Sequence, residues 1–284
     1  MQIEANNLSK KLDHFLLSDI SFTLPEGYIC GLVGKNGSGK TSLLHLLAGL
    51  YRQDEGELQI GEMSYEKNSR KILNHIGIVL QEPLFEEKDS LGENGKIYGS
   101  FYQEFKWERF REYLNRFKLM EKSRYGSLSK GERLKFQFAF ALSHGARLLL
   151  LDEPTGNFDP EFREEFFRLL KEFIADGKNS VILATHATGD LDRLADYILY
   201  LKEGRLRMFS DTESLRDNYR MIQGEGYKIR LIRQERILYE EEGSFGRRAL
   251  VKAGRNSSFD PQLQVWRPTL EELMYGLEKG KEKG

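Results

Sequence analysis

Gly34-Lys35-Asn36-Gly37-Ser38-Gly39-Lys40-Thr41 decides the reading of this chain. An apolar run, Tyr28 to Val33, precedes it, and a helical pattern with Leu43, Leu44, Leu46 and Leu47 follows. Strand, glycine-rich turn and helix form the context in which G-x-x-x-x-G-K-[ST] reads as a P-loop. The glycines let successive backbone N–H groups turn inward and form an anion-binding nest. The new helix adds its unpaired N–H groups and positive dipole end at the same place. Lys40 is expected to reach the β- and γ-phosphates of a nucleoside triphosphate, and the Thr41 hydroxyl to ligate Mg²⁺. The expected binding loop runs from Gly34 through Ser42.

Composition narrows the class. The chain has 284 residues, 39% hydrophobic and 31% charged, enough for one large α/β domain with an appendage or for two domains. Its net charge of −1 supplies no basic field for nucleic acid. The single cysteine, Cys30, lies in the apolar strand before the P-loop. It reads as a small buried hydrophobe in a reducing, cytoplasmic setting. No apolar run approaches the ~20 residues that span a bilayer. Glu4, Asn6 and Asn7 interrupt any signal-peptide layout. A membrane role is therefore expected to go through another protein.

Further strands are expected at Ile3 to Leu8, Ile20 to Leu24, Leu58 to Ile60 and Ile76 to Leu80. From about 83 to 145 the chain turns aromatic and helical, with Trp107, Phe110, Tyr113, Leu114 and Phe117 at three- and four-residue spacings. Strands return at Leu148 to Asp152, Val181 to Thr185, Tyr197 to Leu201 and Gly204 to Phe209, with a helix at Pro160 to Phe173. Alternation of this kind implies a largely parallel sheet covered on both sides. Residues 1–210 read as one domain and 211–284 as a small α+β accessory region. That region has strand-like runs at Tyr227 to Ile232 and Ala249 to Lys252, a helix at Thr269 to Leu277 and a charged tail at 278–284 expected to fray.

Leu148 to Leu151 is a wholly apolar strand that delivers Asp152 and Glu153 to the sheet's carboxyl edge, where open α/β sheets bind ligands. Beside a P-loop, Asp152 suits a contact to Mg²⁺ and Glu153 suits polarising the attacking water. Upstream lies Leu128-Ser129-Lys130-Gly131-Glu132, which resembles the LSGGQ signature of ATP-binding cassette (ABC) proteins. Thr155-Gly156-Asn157-Phe158-Asp159 resembles that family's D-loop, with Asp159 as its acidic residue. Gln81 ends a strand where the family has its Q-loop, and Thr185-His186 ends one where it has its switch histidine.

The ordered set covers about residues 1–209. It implies a P-loop ABC ATPase with a mostly parallel core sheet, an antiparallel β subdomain and a helical signature subdomain. The style is similar to ATPase subunits of bacterial exporters whose permease is a separate chain. The resemblance implies that Glu153, His186, Lys40 and Gln81 carry ATP hydrolysis, and that Thr41, Gln81 and Asp152 serve Mg²⁺. It implies that Ser129, Lys130, Gly131 and Glu132 close over the ATP of a second cassette chain, identical or similar. It also implies a transmembrane permease as partner, with the chain peripheral at the inner face of the membrane.

Three departures stand out. Lys130 and Glu132 replace Gly and Gln of LSGGQ, and Phe158 replaces the usual Leu of the D-loop. The aromatic that stacks on adenine is replaced by Leu12, with Phe15 or His14 as substitutes. Pro83, Leu84, Phe85, Tyr98, Phe101 and Tyr102 are candidate permease contacts or, equally, the helical subdomain's core. Competing readings are a soluble ABC ATPase acting on ribosomes or DNA, and a regulatory cassette. A single cassette without heptads or cysteine clusters speaks against the ribosome and DNA readings.

Overall fold

A computed structural model describes residues 1–233, 236–243, 246–254 and 257–280. The chain divides into two compact units, Met1–His186 with Tyr197–Phe209, and Ala187–Asp196 with the residues from Ser210 onward.

The first unit is built on a ten-stranded sheet. In chain order its strands are β1 (Ile3–Leu12), β2 (Phe15–Leu24), β3 (Ile29–Val33), β4 (Glu55–Ile60), β5 (Met63–Ser64), β6 (Ile76–Val79), β7 (Leu148–Asp152), β8 (Ser180–Ala184), β9 (Tyr197–Lys202) and β10 (Arg205–Asp211). Their order across the sheet is β5-β4-β1-β2-β10-β9-β3-β8-β7-β6. The run β9-β3-β8-β7-β6 is parallel, whereas β1, β2, β4 and β5 pair antiparallel at the other end. Every residue of β3, β7 and β8 is buried, which is why they read as continuous apolar runs without alternation.

The first two strands are longer than the sequence suggests, because Leu12 pairs with Phe15 across a two-residue turn and carries the ladder outward as a ribbon. Polar, exposed residues such as Lys11 hide that extension from a hydrophobicity pattern.

The helices of this unit are α1 (Lys40–Leu47), α2 (Tyr65–Asn74), α3 (Leu91–Gly99), α4 (Trp107–Arg116), α5 (Lys130–Ser143) and α6 (Pro160–Ile174). Phe110 and Leu114 of α4 are buried together with Phe117, as the three-and-four spacing implies. Phe85 sits at the centre of an aromatic cluster, with the rings of Tyr98, Tyr125, Phe136 and Phe140 within 5.6 Å. Tyr102 packs on Phe140 and stacks on His144 at 4.0 Å. Phe85, Tyr98 and Tyr102 therefore serve the subdomain's own core, while Phe101 and Ile97 face outward.

Burial pushes the His144 imidazole from 6.5 down to about 4. Between those values the unfolded chain binds a proton that the folded chain refuses, so stability falls as pH drops from 6.5 toward 4. The loss should reach about 2 kcal/mol by pH 5. In urea melts at pH 7 and pH 5, His144→Asn should flatten that part of the curve.

The second unit contains α7 (Thr188–Leu194), α8 (Thr212–Asn218), β11 (Tyr219–Gly224), α9 (Gly226–Arg230), β12 (Ile237–Gly243), β13 (Gly246–Lys252), β14 (Gln264–Trp266) and α10 (Leu270–Lys279). Its strands form an antiparallel sheet in the order β12-β13-β11-β14. Asp192 on α7 accepts from the Leu270 N–H at 2.9 Å and pairs with Arg216 at 2.7 Å. Thr269 and Glu272 form a capping box that starts α10.

The run Tyr227 to Ile232 is a strand in the sequence reading but is helix α9 over most of its length. Alternation of Tyr227, Ile229 and Leu231 suggests one strand face, yet only Ile229 is buried and the other two are exposed. Of the expected tail, Glu278 and Lys279 continue α10, and 281–284 lie outside the described residues. Among the described residues no helix is long and apolar enough to cross a membrane.

Candidate functional site

β3 ends at Val33 and α1 begins at Lys40. Gly39 holds the N-cap position in a left-handed conformation (φ 105°, ψ 11°), and no side chain caps the helix. The first N–H groups of α1 are thus left for a ligand. A Cβ on Gly39 would lie 2.8 Å from Cζ of Phe15, so this glycine is required both by its φ and by the ring beside it. Lys40 donates to the carbonyls of Gly34 (2.8 Å) and Lys35 (3.4 Å), folding its amine across the loop.

The carboxyl ends of β7 and β8 supply the other half. Asp152 pairs in register with Ala184, so the residues that follow each strand emerge side by side. Asp152 Oδ2 accepts from the Thr41 hydroxyl at 2.7 Å, while its Oδ1 is buried without a hydrogen-bond partner. Burial raises the Asp152 pKa, against the hydrogen bond from Thr41 and the charge of Lys40. Glu153 is in the left-handed region (φ 47°, ψ 45°) and its N–H donates to Ala184 O at 2.9 Å. That conformation is costly for a residue with a side chain and turns the carboxylate away from the strand direction.

Glu153 Oε2 accepts from the backbone N–H of His186 at 3.2 Å and lies 2.7 Å from its Nδ1. Glu153 Oε1 has no hydrogen bond and lies 3.8 Å from the Lys40 amine. Gln81 Nε2 donates to the carbonyls of Glu153 (2.8 Å) and Asp152 (3.4 Å).

Lys40, Thr41, Gln81, Asp152 and Glu153, with Phe15 and the P-loop, line a cavity of about 510 Å³, and His186 stands behind Glu153 without lining it. Its size is in the range of small-molecule sites. Leu12 does not line it. His45 does, and its buried Nε2 has no hydrogen-bond partner. Ser38 Oγ is likewise buried and unpartnered.

The donors fit Mg²⁺. Thr41 Oγ1 and the Asp152 carboxylate are hard oxygens in contact, one carboxylate oxygen is unused, and the Gln81 amide is close by. Among the described residues no group of three His, Cys, Asp or Glu is placed to hold a metal. Such an ion would complete its shell with phosphate oxygens and water, the usual habit of Mg²⁺.

None of Ser129, Lys130, Gly131 and Glu132 lines the cavity. Ser129 is the N-cap of α5. Its Oγ accepts from the Glu132 N–H at 3.3 Å, and Glu132 Oε2 accepts from the Ser129 N–H at 2.8 Å. A Cβ on Gly131 would lie 2.5 Å from Asn157 O, so the signature turn rests directly on the Pro154–Asn157 turn. Asp159 caps α6 through the Phe162 N–H at 2.8 Å and pairs with Lys135 at 2.9 Å. Phe158 packs against Phe162 and Phe166, which absorbs its extra bulk within the chain.

Sequence reasoning passed over Gln137. It is buried and binds the backbone on both sides of Gln81. The available signal is a lone amide among Phe136, Phe138, Ala139 and Phe140.

A parallel sheet with a P-loop at the switch from β3 to α1, and two carboxylates on the neighbouring strand end, defines a P-loop nucleotide hydrolase. The ABC transporter family model matches residues 17–156. The ABC transporter ATP-binding protein YtrB of Bacillus subtilis (strain 168) is 33% identical over 224 residues, covering 78% of this chain and 76% of that protein. The tungstate uptake system ATP-binding protein TupC of Peptoclostridium acidaminophilum is 31% identical over 211 residues, 72% of this chain and 97% of that one. A dimeric ATP-binding cassette in a post-hydrolysis state, bound to ADP and Pi, shares the fold with a TM-score of 0.66 at 23% identity, covering 74% of this chain and 98% of that one. The chain belongs to the ATP-binding subunits of ABC transporters, and its chemistry is ATP hydrolysis.

Proposed function

We propose that this chain is one half of an ATP-closed clamp that drives a separate transmembrane permease from the cytoplasmic face. One observation carries the reading. The cavity gathers P-loop, Asp152, Glu153 and Gln81, yet no signature residue lines it, so a complete site needs the signature of a second chain. The N–H groups opening α5 supply an anion site. The dimeric form of the structurally similar cassette supports this arrangement.

In the proposed reaction Lys40 leaves the Gly34 and Lys35 carbonyls for the β- and γ-phosphates of ATP. Thr41, Asp152 and Gln81 would hold Mg²⁺, which neutralises charge on the phosphates when bound. Glu153 Oε1 takes a proton from the attacking water, while Oε2 stays oriented by His186. Water oxygen bonds to the γ-phosphorus as the bond to the β–γ bridging oxygen breaks, yielding ADP and phosphate. His186 and Lys40 stabilise charge on the γ-phosphoryl group.

Phe15 is the proposed adenine platform in place of Leu12. Stacking on an aromatic is worth about 1–3 kcal/mol per base. Phe15→Ala should therefore weaken ATP binding by roughly 5- to 150-fold, and Leu12→Ala should leave it unchanged. Titration with a fluorescent ATP analogue, beside a thermal melt because Phe15 also packs on the core, checks this.

Domain 1–210 is proposed as the motor and 211–284 as its accessory region. Export is the proposed direction, on the exporter-type resemblance of the sequence; TupC shows that an uptake ATPase is about as similar. Purifying the tagged chain from detergent-solubilised membranes tests the partner. A co-purifying integral membrane protein is the expected result. Recovery of ribosomes or nucleic acid alone would sink the transporter reading.

A further inference from the structure

Helix α5 buries two polar side chains among its apolar ones: Ser143, whose hydroxyl donates to the Ala139 carbonyl of its own helix at 2.6 Å, and Gln137, which bonds outside the helix. Gln137, between Phe136 and Phe138, is only 2% exposed. Its Oε1 accepts from the Leu80 N–H at 2.8 Å, and its Nε2 donates to Glu82 O at 3.2 Å and to Tyr125 Oη at 3.3 Å. Donor and acceptor of one planar carboxamide thus grip the peptide groups on either side of Gln81, as a neighbouring strand would. Strand β6 has ended at Val79, so these two groups have left the ladder that served the strand.

A glutamine here is not explained by packing alone. An apolar residue would suit the cluster of Phe85, Tyr125, Phe136 and Phe140 better, because burying an amide costs free energy unless each polar atom is matched. Here each one is matched, and two of the three matches are to the backbone that carries Gln81. The chain beyond is fastened separately. Asn94, fully buried, bonds Glu86 through both its N–H and its carbonyl and reaches the Asp89 and Ser90 carbonyls. Arg133 on α5 pairs with Glu87 at 3.1 Å. Gln81 itself is exposed, with its amide on the Glu153 carbonyl at 2.8 Å. Its placement at the cavity therefore depends on the fork beneath it.

We infer that Gln137 is a positioning residue that holds Gln81 at the nucleotide cavity and ties it to the helix whose N-terminus carries the signature. Seven residues of continuous α-helix, Lys130 to Phe136, lie between Ser129 and Gln137, so a shift of the signature end is felt at Gln81. This rests on the proposed role of Gln81 in hydrolysis.

A double-mutant cycle on the full chain tests it. Gln137→Leu keeps the volume and removes the fork. It should lower kcat about 10- to 100-fold, the scale of a misplaced catalytic group. It should also raise the Mg²⁺ concentration for half-maximal rate several-fold, with ATP binding to the P-loop within about twofold of the parent. In a Gln81→Ala background the same substitution should change kcat by no more than about twofold. An equal loss in both backgrounds, or no loss in Gln137→Leu alone, overturns the inference while leaving Gln81 its role. If Gln81→Ala alone hydrolyses ATP normally, the reading of Gln81 falls first and the inference with it. Tyr125→Phe, which removes one partner of the fork and the phenol's bond to the Leu84 backbone but leaves both Gln137 bonds to the backbone around Gln81, covers the case in which Gln137→Leu does not fold. Its smaller loss in kcat should also vanish in the Gln81→Ala background, and persistence there overturns the inference.

Discussion

Glu153→Gln should slow ATP hydrolysis by ~10²–10⁴-fold, the usual worth of a general base, and leave ATP binding intact. The substitution keeps the shape of the side chain and the acceptor for the His186 N–H at 3.2 Å, but removes the carboxylate that would take a proton from water. Nucleotide affinity should persist because the proposed anion nest is made of P-loop backbone, Lys40 and the start of α1. With hydrolysis blocked, the ATP-bound dimer should accumulate, visible as a doubled mass in light scattering with ATP and Mg²⁺ but not with ADP. The same change removes the anionic partner 3.8 Å from Lys40, so ATP binding should not weaken. Turnover near the parent rate would take Glu153 out of the role and move the base elsewhere.

Complementation between two dead chains should restore activity that neither has alone. Lys40→Ala removes the amine proposed to meet the phosphates. Gly131→Val places carbon where only 2.5 Å separates a Cβ from Asn157 O, displacing the signature turn. Each homodimer should lose at least ~10²-fold in kcat, the cost of removing one preorganised charge or donor. In a mixed dimer, the P-loop of the Gly131→Val chain faces the signature of the Lys40→Ala chain, so one of two sites is intact. Activity should appear on mixing and peak at equal amounts. A mixture as inactive as its components, with mixed dimers present by tagged pull-down, would mean that each chain uses its own signature or needs both sites at once.

Much of the first unit is legible in its residues. The buried strands announce themselves because both faces are covered, so Leu148 to Leu151 carries no polar residue. The hairpin of β1 and β2 was only half legible, since its outer residues are solvated and follow no apolar period. In the second unit the period misleads outright. Tyr227, Ile229 and Leu231 alternate like a strand, but Glu225 begins a short helix and two of the three side chains meet solvent. Strand β11, the middle of that sheet, escaped notice because Arg220 and Gln223 interrupt its apolar residues.

The site divides in the same way. Phosphate binding, the acidic strand end and the order of motifs are properties of short segments, whose backbone geometry follows from a few neighbours. The sequence alone therefore determined the ligand class, the reaction and the family. It could not determine which distant side chains meet. Glu153 touches His186 because β7 and β8 lie side by side with Asp152 opposite Ala184. Phe15 rather than Leu12 borders the cavity because the hairpin turn brings its ring against Gly39. Gln137 grips the backbone around Gln81 across a separation of 55 and 57 residues. Those pairings are set by sheet register and core packing, which bring together residues that no local spacing relates.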